Sequence, residues 1–154
     1  MAKTIPFARN TQAACARAAK GMLLPLPRGT ADELALRTHL ALDILRRGKG
    51  GVSDAQTLTQ AMLVVAFLAE SGYGKLTPET LRKADTLSAA CFERGRASGT
   101  WVLDEAGYEA FADIVTLYDL QLQKAPLWAV TDASDRLARF MAGEPFSAMA
   151  RKRA

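Results

Sequence analysis

A chain of 154 residues, 49% hydrophobic and 23% charged, is long enough for one compact core and too short for two. Its apolar content leans on Ala and Leu, strong helix formers, over the β-branched and aromatic residues that favour strands, so an all-α fold is expected. The net charge of +4 is unevenly divided: residues 1–28 carry Lys3, Arg9, Arg17, Lys20 and Arg28 with no acid, Arg151, Lys152 and Arg153 lie at the other end, and the body between is net acidic at −4.

Cys15 and Cys91 are too few for a disulfide framework, and a reducing cytoplasm is the expected setting. The longest apolar run, Ala61 to Ala69, has nine residues, about half of the roughly 20 that span a membrane. No membrane segment is therefore expected. The patch Met22 to Leu26, broken by Pro25, is too short for a signal-peptide core.

Along the chain, residues 1–28 read as a basic arm and linker. Thr11 to Lys20 is Ala-rich and predicts a short helix, marginal alone because isolated helices below about 12 to 15 residues rarely hold in water. Five helices then follow over 29–144, with 145–154 as a short basic tail. The first is expected to open at Thr30, with Glu33 completing a capping box, and to end near Arg47 before Gly48, Gly50 and Gly51. Ser53 with Gln56 suggests a second box, and that helix runs through Met62, Leu63, Val64, Val65 and Phe67 to Glu70. Being apolar on nearly every side, it belongs at the centre of a bundle or against a second subunit. Met62, Val65 and Phe67 are therefore expected at the interface of a homodimer.

Thr77-Pro78 opens the third helix, since proline at the first position has a preset φ and lacks an N–H that would be unpaired anyway. It closes at Ser98-Gly99. Asp104 caps the fourth, whose Tyr108, Phe111, Val115, Tyr118 and Leu122 define one apolar face. Pro126 is expected to interrupt, and a fifth helix from Asp132 carries Leu137, Phe140 and Met141 to Gly143 and Pro145. Connections of about three to eight residues favour an antiparallel bundle.

Residues able to support chemistry are scarce. His39, the single histidine, lies one turn before Asp43 and reads either as a base oriented by that carboxylate or as a packing residue. Cys91 could pair with it as a nucleophile, although Leu87, Ala90 and Phe92 around it point to an inert core thiol. One histidine and two distant cysteines predict no metal site, and no cofactor is expected. Glu105, Glu109 and Asp113 form an acidic stripe, a solvated face or a contact for a basic partner such as the chain's own arm. Gly48-Lys49-Gly50-Gly51-Val52-Ser53 lacks the spacing of a phosphate-binding loop.

The second and third helices, joined through Gly72-Tyr73-Gly74-Lys75-Leu76-Thr77, outline a degenerate helix-turn-helix that would offer Arg82 and Lys83 to a groove. The basic ends (Lys3, Arg9, Arg17, Lys20, Arg28 and Arg151 to Arg153) would instead track phosphates without reading sequence. Trp101 reads as a packing residue and Trp128, beside Pro126, as an interface anchor.

Arg94-Gly95, then Gly99-Thr100-Trp101-Val102-Leu103-Asp104, Tyr108 and Tyr118-Asp119-Leu120-Gln121-Leu122 resemble a group of small all-helical bacterial proteins labelled Fis-like transcriptional regulators, loosely over residues 36–123. The resemblance implies a helical regulator without an assigned chemistry. A Fis-type reader carries its basic helix-turn-helix at the C-terminal end, whereas here Asp132, Asp135, Arg136 and Arg139 precede only a short basic tail. The expected function is a non-enzymatic helical interaction protein with a regulatory role, acting as a homo-oligomer or with a protein partner. The alternative is a nucleic-acid-associated regulator.

Overall fold

The computed structural model describes residues 7–146, with side chains from residue 12 onward. The order is α1 (Phe7–Gly21), α2 (Arg28–Arg46), α3 (Val52–Glu70), α4 (Pro78–Ser98), α5 (Glu105–Lys124) and α6 (Leu127–Met141). The protein is all-helical, and the described residues hold six helices where five and an arm were expected. Two isolated β-bridges, Pro25 with Pro126 and Gly50 with Trp101, tie loops together.

α3 is the axis, with α2, α4, α5 and α6 packed around it. Ten of its residues are buried, among them every position from Ala61 to Leu68. By length and composition Val52–Glu70 is apolar enough to cross a membrane. A helix surrounded on all sides reads the same way.

The local start and stop signals hold at α4 and α5. Thr77 Oγ1 accepts the Thr80 N–H at 3.2 Å, and Asp104 Oδ1 accepts that of Gly107 at 2.7 Å. Gly99 closes α4 at φ +72°, a left-handed conformation that glycine adopts without a Cβ penalty. Two predicted caps are corrected. α2 starts at Arg28 behind Pro27, whose carbonyl takes the Ala31 N–H, so Thr30 lies inside the first turn. α3 starts at Val52, and Asp54 reaches back to the Gly51 N–H at 2.8 Å, displacing the Ser53 and Gln56 pair.

The last helix is also corrected: it begins at Leu127, five residues before the predicted Asp132. Pro126 is its N-cap rather than a break. The N–H groups of Leu127 and Trp128, orphans at a helix start, donate to the carbonyls of Leu24 (2.7 Å) and Met22 (3.0 Å). The linker thus supplies the cap from a hundred residues upstream. Phe146, assigned to the tail, stacks on Phe67 at 5.3 Å between ring centroids.

α1 stands apart. It packs on none of the other helices to any extent, and its side chains from Gln12 to Lys20 are exposed.

Candidate functional site

His39 bonds a carboxylate, but not the predicted one: its Nε2 lies 2.6 Å from Asp119 Oδ2 on α5, while Asp43 pairs with Arg47 at 3.0 Å. The imidazole is half exposed, and neither partner lines a cavity among those described. Among the described residues no hydroxyl or thiol hydrogen-bonds to His39, so no nucleophile is in place. Cys91 is 1% exposed on α4. Burial pushes its thiol up, Asp104 adds to that, and Arg94 and the Val102 backbone oppose it, so the thiolate is disfavoured. No group of metal-ligating side chains occurs among the described residues.

The expected interface residues are corrected by burial. Met62 is 2% exposed and Val65 and Phe67 are 0%, covered by the chain's own helices. The premise for a dimer built on that helix is removed. Trp128 is half-buried, its ring edge-on to Tyr73 at 6.1 Å, which makes it an intramolecular packing residue.

The nucleic-acid candidates divide by location. Arg82 and Lys83 are exposed on α4, but so are Glu79 and Asp85 beside them, and the preceding helix of the motif is the buried α3. Arg17, Lys20 and Arg28 are exposed, Arg28 with Asp32 at 3.9 Å. Lys3, Arg151, Lys152 and Arg153 lie outside the described residues, as does the side chain of Arg9. Glu105, Glu109 and Asp113 face solvent, with Glu105 3.8 Å from Arg46.

A constellation not anticipated from the sequence sits between α2 and α6. Both helices pack on α3, yet they scarcely touch each other, and a groove with a cavity of about 200 Å³ opens between them. Its apolar walls include Ala61 and Val64 of α3, Leu122 of α5 and Val130 of α6, while Arg37, Gln60, Tyr118 and Ser134 bring polar groups to it. Burial first, and Asp119 second, push the Tyr118 phenol up against the opposing charge of Arg37. The phenol is therefore a neutral donor at physiological pH. These polar residues come from four helices, so no spacing in the sequence marks them; the one local signal is a tyrosine with a polar tip on the apolar face of α5.

Comparison with family models, with curated proteins and with solved structures gives no match.

Proposed function

We propose that this protein is a non-enzymatic helical interaction protein with an accessory or regulatory role, and that α1 is its contact element. The observation that carries this reading is a 15-residue helix held away from the bundle, exposed along Gln12 to Lys20, within a segment that has no acid. Along its described side chains such a helix gains little from tertiary packing, and on its own it is marginal in water. A partner surface would supply what the body does not. The partner is anionic by charge complementarity with Arg17 and Lys20. Two free cysteines suit action in a reducing compartment such as the cytoplasm.

A second reading, duplex nucleic acid as that partner, is favoured by the clustering of positive charge at both ends. Fluorescence anisotropy of labelled duplex DNA against the full chain, at low and moderate salt, tests it. Tail-mediated binding should weaken with a slope of about −0.9 per neutralised phosphate and vanish when residues 1–20 and 151–154 are removed, a cut that keeps the Met22 and Leu24 carbonyls that cap α6. Sequence-selective binding by the trimmed protein, lost on Arg82→Ala, would transfer the role to α4. No binding by the full chain at low salt would leave an acidic protein as the partner of α1, to be sought by crosslinking from Cys15.

A further inference from the structure

We propose that the groove between α2 and α6 is a binding site for a small organic anion, a monocarboxylate with a short apolar tail. The site is independent of α1 and of the reading given to it. Its lining contains one cation, Arg37, and no acid. Tyr118, 8% exposed as a whole residue, lines the same groove, and its hydroxyl makes no hydrogen bond within the described residues. The hydroxyl is not among the atoms sealed from solvent without a partner, so it is open to water or to a ligand in the groove. An anion held by Arg37 in this groove can accept a hydrogen bond from the phenol.

The two donors select the head group. A guanidinium binds a carboxylate through two parallel N–H bonds, and a neutral phenol adds a third donor, whereas a cationic ligand meets no acceptor charge. Asp119, whose charge acts on the phenol, is engaged by His39 through Oδ2 at 2.6 Å, while its Oδ1 is buried without a partner among the described residues. The tail is selected by Val64, Leu122 and Val130, which offer no polar side-chain atoms. Size follows from volume: 200 Å³ lies below the roughly 300–1,000 Å³ of pockets that enclose drug-sized ligands. It holds on the order of seven water-sized volumes of about 30 Å³ each. That suits a short-chain acid, and methylenes beyond it would project from the groove and add little.

The test is a nuclear magnetic resonance titration of the full chain with hexanoate, hexan-1-ol and decanoate, following methyl and amide signals. Hexanoate should give saturable shifts centred on Val64, Leu122, Val130 and Ser134, with hexan-1-ol weaker by roughly tenfold or more because it lacks the charge-assisted bonds. Arg37→Gln, at an exposed position, should weaken hexanoate by roughly tenfold to a hundredfold. The near-isosteric Tyr118→Phe should weaken it severalfold without changing the fold. Decanoate should bind no better than hexanoate. Shifts that never saturate, shifts centred on another surface, equal binding of hexanoate and the alcohol, or an Arg37→Gln protein that binds as the parent does would each overturn the assignment.

Discussion

The indole of Trp101 lies directly on Gly95: a Cβ at that glycine would come within 2.3–2.5 Å of three ring atoms. Phe92 is edge-on to the indole at 5.4 Å between ring centroids, and Arg94 Nη2 donates to the Val102 carbonyl at 2.8 Å. The Arg94-Gly95 and Gly99 to Asp104 pattern is therefore a device for packing and capping. It turns the chain from α4 into α5 and bridges Trp101 to Gly50. Gly95→Ala should cost about 1–3 kcal/mol, as overpacking does. Urea denaturation followed by tryptophan fluorescence would show it as a lower midpoint with an unchanged slope; an unaltered midpoint would mean that the ring moves aside freely.

The isolation of α1 makes the opposite prediction for residues 1–20. Among the described residues this removes no substantial packing of one helix on another, while the Met22 and Leu24 carbonyls that cap α6 are retained. Stability should change by less than about 0.5 kcal/mol, the range of surface changes. A large drop in thermal midpoint would show that α1 packs on the body in solution.

Arg136 is 5% exposed, lies over the Phe67 ring at 4.2 Å and pairs with Glu70 at 2.5 Å. Its Nε and Nη1 have no partners among the described residues. Neutralising Glu70 leaves a charge buried without compensation, so Glu70→Gln should cost about 3–5 kcal/mol at most, less for the part of Glu70 that water still reaches. Arg136→Met, which removes the charge and keeps the volume, should be milder, because burying an ion pair is itself expensive. Equal losses in the two variants, measured by urea denaturation, would contradict this.

His39 and Asp119 join α2 to α5 at the surface, half exposed on the histidine side. An exposed pair contributes about 0.2–1 kcal/mol. His39→Gln should therefore lower stability by no more than about 1 kcal/mol and leave DNA binding and hexanoate binding as they were. Abolition of a biochemical activity in a folded His39→Gln protein would point to catalysis at this pair.

Burial holds the Cys91 thiol above its usual 9.0 and the Tyr118 phenol above its usual 10.0. Below those values both groups are protonated in the folded and unfolded chains, and their contribution to stability is complete. Above them the unfolded chain ionises first, so stability falls as pH rises through the folded values. Urea midpoints should drop between neutral pH and about pH 10, less steeply for Cys91→Ala. Identical pH profiles for parent and variant would remove Cys91 from the account.

What the sequence by itself determined is local. Thr77-Pro78, Ser98-Gly99 and Asp104 set helix ends because a cap acts within three or four residues, the reach of a helical turn. The middle of α3, apolar on nearly every side, called for burial at the centre of a bundle or against a second subunit. Even so, the same pattern left open whether a neighbouring helix or a second copy covers Met62, Val65 and Phe67. Only the tertiary structure decided that, together with every relation that crosses helices: the linker carbonyls that start α6 at Leu127, the choice of Asp119 over Asp43 for a histidine 80 residues away, and the meeting of Arg37, Tyr118 and Ser134 at one groove. Those depend on how helices cross and on where two of them fail to meet, and side-chain spacing along one chain does not encode either.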